Sequence, residues 1–155
     1  DSCTIDVPGD YESIQEAINA SVNGDVINIA AGTYNEYNLN PGGKAITIQG
    51  TLNGNGTLAT TIDAQQGGGV LSIFSGEGPD TVIKDLVITG GTGTLDGAYT
   101  FGGGIYCRYS SNPTITGCTI EGNTSNSSGG GIIGTSSNPS SIYQPAFYIM
   151  SLNFL

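Results

Sequence analysis

Arg108 is the only arginine of the chain and follows the apolar run GGIYC, and Asp96 closes the stretch GGTGTLD at 90–96. These two residues come nearest to chemistry by type and setting. A basic side chain beside a strand can remove the proton next to a uronate carboxylate, with calcium or other positive charge neutralising that carboxylate. No cluster of Asp or Glu lies near Arg108 in sequence to complete a calcium cage, so an outward or loop arginine is the favoured reading. GGTGTLD approaches the calcium nonapeptide GGxGxDx, but Asp96 stands one place late and the motif occurs once. Hydrolysis of a sugar bond needs paired carboxylates about 5–10 Å apart. Asp85 and Glu121 lie at a near-repeat offset, and Asp80 and Asp85 are close in sequence, but solvated turn acids are the simpler account. The chain has no histidine, which removes the usual proton shuttle. FGGGIYC at 101–107 lacks the lysine and helix of a phosphate-cradling loop, so its glycines suit tight bends and close stacking.

The formal net charge is −10, from 13 acids against three basic residues, Lys44, Lys84 and Arg108. So few cations cannot neutralise a phosphate backbone, which excludes nucleic acid as a partner. An acidic surface keeps a protein soluble or holds divalent cations; no cofactor is expected, and calcium is the ion this reading leaves open. With 26 glycines in 155 residues and 10% charged residues, the chain reads as a turn-rich all-β protein. No run reaches the roughly 18 to 20 apolar residues of a membrane span. Cys3, Cys107 and Cys118 lack the number and spacing of a zinc site, and the last two read as small buried hydrophobes. Asn19, Asn55, Asn123 and Asn126 head Asn-x-Ser/Thr sequons and are glycosylation candidates. The start at Asp1 rather than methionine fits a removed leader or a trimmed chain, and an extracellular or cell-surface location is expected.

One segment reads as helix: YESIQEAINAS at 11–21, with Ile14, Ala17 and Ile18 on one face, Asp10 as N-cap and Gly24 as the stop. From Asp25 onward short alternating runs follow, among them DVINIA, KAITIQG, TTID, VLSIF, TVIKDLVIT, GGIYC, PTITGCTI and GGII. Ile83 and Ile115, Ile88 and Ile120, and Ile73 and Ile105 are each 32 apart, and Ile105 recurs at Ile132. The phrase FGGGIYCRYSSNPTITGC also returns in part as SGGGIIGTSSNPSSI. A shared offset marks a solenoid, here a parallel β-helix of about four to five coils stacked at about 4.8 Å, with α-helix 11–21 as an N-terminal cap. Inward columns of Ile, Val, Leu and Cys are expected, with Lys84-Asp85 and Gly117 at bends and GTGTLDGAY at 91–99 looping out sideways.

The run YESIQEAINASVNGDVINIAAGTYNE at 11–36 joins a capping helix to a Gly-Asp-hydrophobic strand and a Gly-Thr-Tyr turn. With KAITIQG, TTIDA, TVIKDLVITGG and GGGIYCRYSSNPTITGCTIEGNTSNSSGGGI, it resembles the right-handed parallel β-helix proteins of the pectin-lyase-like superfamily over roughly residues 10–140. The last stretch is similar to repeats of bacterial surface and secreted β-helix proteins, including polymorphic outer-membrane proteins. The resemblance implies a right-handed coil. It spans lyases, glycosidases, adhesins and structural repeats, so fold alone does not choose a function. The Asp-Asp doublet and His-Gly of its hydrolases are missing here. The expected role is a secreted or cell-surface, non-catalytic structural or binding module, self-assembling or carbohydrate-binding. The rival is a polysaccharide lyase acting on an acidic glycan through Arg108. The threonines are too irregular in sequence for an ice-binding ladder.

The β-helix with its cap is expected over 1–141, followed by an apolar tail over 142–155, IYQPAFYIMSLNFL. Ile142, Tyr143, Phe147, Tyr148, Ile149, Leu152, Phe154 and Leu155 are its assembly candidates, and Pro145 argues against a central strand. A cap over the last coil, docking onto another subunit and a shifted reading frame are three explanations of this tail. Self-association through coil ends or the tail is the expected partnership, with polysaccharide as the other.

Overall fold

The computed structural model describes residues 1–134. β1 (Thr4–Val7) is followed by α1 (Ile14–Ala20), β2 (Val26–Ile29) and β3 (Gly32–Tyr34). Next come β4 (Thr47–Gln49), β5 (Thr60–Asp63), β6 (Leu71–Ile73), β7 (Val82–Lys84) and β8 (Val87–Thr89). β9 (Thr94–Asp96), β10 (Tyr99–Phe101), β11 (Ile105–Cys107), β12 (Thr114–Thr116), β13 (Thr119–Ile120) and β14 (Ile132–Gly134) complete the order. The described residues are thus β-rich with one helix, and no helix among them is long and apolar enough to cross a membrane.

Three sheets are parallel throughout: β1-β2-β4-β7-β12, β3-β5-β8-β13 and β6-β11-β14. In each, neighbouring strands follow chain order, so successive passes of the chain visit the sheets in turn. Period-two alternation then aligns inward residues from pass to pass. Ile5, Ile27, Ile48, Ile83 and Ile115 form one ladder. Tyr34, Ile62, Ile88 and Ile120 form a second, and Leu39, Leu71, Ile105 and Ile132 a third. The ladders meet in one core, in which Ile27, Ile48, Ile62, Ile83 and Ile88 have no exposed surface. Each such isoleucine contributes about 1.5–3 kcal/mol by leaving water.

Two offsets agree with expectation, since Ile115 lies beside Ile83 and Ile120 beside Ile88. The third does not: Ile105 lies beside Leu71, and Cys107 takes the place next to Ile73. The turn before β7 is two residues longer than the turn before β12, which shifts the register of the third sheet. A two-residue shift keeps every side chain on its own face, so the core tolerates it.

The bends fall where expected. Asp85 (φ 57°) and Gly117 (φ 64°) occupy equivalent left-handed corners, before β8 and β13. A Cβ on Gly117 would run into the Asp85 carboxylate, so glycine serves there for space as well as conformation.

The helix is shorter than its sequence pattern. Ser13, not Asp10, is the N-cap, in a reciprocal capping box with Glu16, while Asp10 instead accepts from Asp6 N at 2.8 Å. Ile14, Ala17 and Ile18 are buried against the core. Glu36 accepts from Ile14 N at 2.8 Å and Gln15 N at 3.2 Å, and Lys44 Nζ donates to Ile18 O at 2.6 Å and Asn19 O at 3.0 Å. An acid at the helix start and a cation at its end both complement the helix dipole. The Gly-Thr-Tyr segment read as a turn is strand β3, and β1 was not foreseen.

Candidate functional site

The segment between β8 and β11 does leave the core, but it folds back rather than looping free. β9 and β10 form an antiparallel hairpin pairing Thr94 with Phe101, Leu95 with Thr100 and Asp96 with Tyr99. Gly97 (φ 66°) begins the two-residue turn, a position that favours glycine. Cross-strand partners share a face, so Thr94, Asp96, Tyr99 and Phe101 point one way and Leu95 and Thr100 the other.

The first face covers the outer side of β6 and β11. Thr94 Oγ1 and Ser72 Oγ are 2.6 Å apart, and Phe101 stacks on Tyr106 with centroids 5.8 Å apart at 19°. Tyr106 donates its hydroxyl to Asp96 Oδ2 at 2.8 Å, and Arg108 forms an ion pair with the same oxygen. Ser72 and Tyr106, outward by alternation, are consequently buried. Asn126 holds the hairpin from its other edge, accepting from Thr100 N at 2.6 Å and donating its own N to Thr100 Oγ1 at 3.0 Å.

The mouth of this arrangement is aromatic. Arg108 N donates to Ile73 O at 2.9 Å, which continues the register and sets Arg108 beside Phe74. The Arg108 guanidinium lies 4.7 Å from the ring centroid of Tyr109, a cation–π contact. Tyr109 (φ 52°) and Ser110 (φ 62°) are consecutive non-glycine residues in the left-handed region, a strained backbone that presents the Tyr109 ring outward. Tyr99, Tyr109 and Phe74 are exposed around the pair, and the Arg108 and Asp96 side chains keep 35% and 32% of their surface in solvent.

Arg108 and Asp96, singled out separately by sequence, therefore meet in one contact. The five aromatic residues around them were not foreseen. The signal was present: alternation from the buried Ile105 places Tyr106 and Arg108 outward, and a glycine within LDGAY suits a tight hairpin turn.

Other sequence candidates stay apart. Asp85 precedes β8 and contacts Lys84 at 3.6 Å, whereas Glu121 follows β13, beyond the far end of the equivalent strand. Asn19 and Asn55 are exposed. Asn126 ties down the hairpin, and Asn123 uses Nδ2 on Ile88 O and Glu121 O, both at 2.9 Å, with Oδ1 accepting from Gly91 N at 2.8 Å. Ile142, Tyr143, Phe147, Tyr148, Ile149, Leu152, Phe154 and Leu155 lie outside the described residues.

The buried ionisable groups are structural. Glu77 accepts from Gly43 N at 2.9 Å, Ser75 N at 2.8 Å and Ser111 Oγ at 2.9 Å, tying successive passes of the chain. Asp25 accepts from Cys3 N and Val22 N, both at 2.9 Å, and these amides hold its carboxyl below the usual range. Burial pushes the Cys107 thiol up to about 12, aided by the Glu77 charge, and the Cys118 thiol to about 11. Both stay protonated at neutral pH and are poor nucleophiles. Among the described residues no group of three or more His, Cys, Asp or Glu could hold a metal ion.

No family model matches the chain, and no curated protein or solved structure matches it either.

Proposed function

We propose that the chain is a right-handed parallel β-helix of the pectin-lyase-like kind, acting outside the cell or on its surface as a non-catalytic structural and binding module. Three parallel sheets visited in turn, with ladders aligned from pass to pass, support a stacked coil. The observation that carries the non-catalytic reading is the ion pair of Arg108 with Asp96. A catalytic base must reach the proton it removes, and the Arg108 guanidinium is turned to the Asp96 carboxylate. Carbohydrate and self-association are the interactions this module is suited to. Coil ends present strand edges that template another chain, and the apolar tail over 142–155 is the assembly segment.

Incubation with pectate, alginate and chondroitin in the presence of calcium tests the reading. No rise in the ultraviolet absorbance of unsaturated uronate products is expected, and a signal abolished by Arg108→Ala would overturn it. Removal of residues 142–155 is expected to change the oligomeric state. An unchanged elution volume and solubility would eliminate tail-mediated assembly.

A further inference from the structure

We infer that the mouth between the β9–β10 hairpin and β11 binds a neutral pyranose unit, stacked on Tyr109 and hydrogen-bonded by Asp96 and Arg108. This assignment rests on the binding-module reading and gives it a site. A pyranose offers two chemistries at once: an apolar C–H face and a rim of hydroxyls that both donate and accept. The mouth offers the complement of each. Tyr109 and Tyr99 are exposed at 62% and 58%, with Phe74 beside them, and these rings give flat apolar surface for the sugar face. Arg108 donates only and ionised Asp96 accepts only, so together they match the two ends of a vicinal diol. Tyr106 and Arg108 both meet Asp96 through Oδ2, and a carboxylate has acceptor sites for more than two donors.

The placement is built rather than accidental. Tyr106 and Arg108 fix the carboxylate from β11, Thr94 and Phe101 fix the hairpin on the sheet, and Arg108 braces the inner side of the Tyr109 ring. Preorganised side chains lose little freedom on binding. The left-handed backbone at Tyr109 and Ser110 turns the Tyr109 ring outward, with Arg108 against it. Charge selects the ligand: with a net charge of −10 and Arg108 already paired, a polyuronate is repelled and a neutral glycan is not.

The test is a titration of the full chain with methyl α-mannoside, lactose, cellotetraose, xylotetraose and a polygalacturonate oligomer, followed by tyrosine fluorescence and calorimetry. At least one neutral sugar is expected to bind, and polygalacturonate is not. Tyr109→Ala is expected to weaken binding tenfold or more, with Tyr99→Ala weaker in the same direction. Leu95→Ala, on the opposite face of the hairpin, should leave binding unchanged, and matching thermal melts for Tyr109→Ala exclude misfolding. Binding that survives Tyr109→Ala and Tyr99→Ala overturns this site while leaving a glycan-binding module in place. Absence of binding by every neutral sugar, or preference for polygalacturonate, also overturns it. Bond cleavage of any of these glycans instead overturns the non-catalytic reading.

Discussion

The carboxylate of Asp96 binds the guanidinium of Arg108, so a hairpin inserted between two core strands is fastened to the sheet it would otherwise leave. Tyr106 joins the same oxygen from β11, and the outer faces of β6 and β11 become interior. The hairpin thus ends the solvent exposure of a sheet face through Thr94, Phe101 and Asp96 together, and Asp96 holds Arg108 at the aromatic mouth beside it.

Asp96→Ala removes the acceptor of both contacts and is expected to cost about 1–3 kcal/mol, the range for leaving a covered polar partner unsatisfied. Asp96→Asn keeps an acceptor for the Tyr106 hydroxyl and loses only the ion pair, which keeps about a third of its surface in solvent and is worth about 0.2–1 kcal/mol. Urea unfolding of the two variants separates these terms. Equal midpoints for Asp96→Ala and the unaltered chain would mean that the hairpin is not held through this residue.

The three thiols should divide by burial. Cys3 is exposed, whereas Cys107 and Cys118 are buried with thiols raised to about 12 and 11. At pH 8 a thiol-reactive reagent is expected to modify one cysteine in the native chain and three in denaturant, as read by mass spectrometry. Linkage gives the alkaline behaviour. Unfolded thiols ionise near 8.5, so the contribution of keeping Cys107 and Cys118 neutral is complete below that value and is lost as pH rises through about 11 to 12. Cys118→Ala should reduce this alkaline loss and leave a small cavity penalty at pH 7.

Much of the stack was legible because isoleucine spacing reports it directly: Ile83 with Ile115 and Ile88 with Ile120 are neighbours in space. The partner of Ile105 was misread because the offset depends on turn length, and apolar residues at both Leu71 and Ile73 satisfy the pattern. The helix start was misread because Asp10 was weighed as a cap by type alone, whereas Ser13 with Glu16 three residues on carries the capping-box pattern and Asp10 accepts from Asp6 N instead. The site was least legible. Arg108 and Asp96 stood out as types, but their contact depends on which face of the hairpin turns inward, and that is set by Phe101 against Tyr106.

Gly117→Ala tests the corner geometry. Alanine at φ 64° costs about 1–2 kcal/mol, and its Cβ also meets the Asp85 carboxylate. The double variant Asp85→Ala with Gly117→Ala should relieve the collision but not the backbone strain at Gly117, and the alanine at Asp85, itself at φ 57°, adds strain that the Asp85→Ala single variant measures. Chemical denaturation of the single and double variants gives the coupling. Full additivity would show that the two corners do not touch.

Acid should weaken the chain's first turns through Asp25. Its carboxylate is buried and accepts from Val22 N and Cys3 N, which hold its pKa below the ordinary value of about 3.9. A carboxyl whose folded value is depressed contributes stability that is fully present above its unfolded value and is lost as pH falls through the folded one. The contribution is therefore intact at neutral pH and declines below about pH 4. Asp25→Asn offers one oxygen where the carboxylate offers two, so it lowers the midpoint at pH 7 and flattens the acid dependence of unfolding. Denaturation series at pH 7, 5 and 3 measure both effects. If Asp25→Asn matched the unaltered chain at pH 7, the carboxylate would not be what joins Cys3 to the turn before β2.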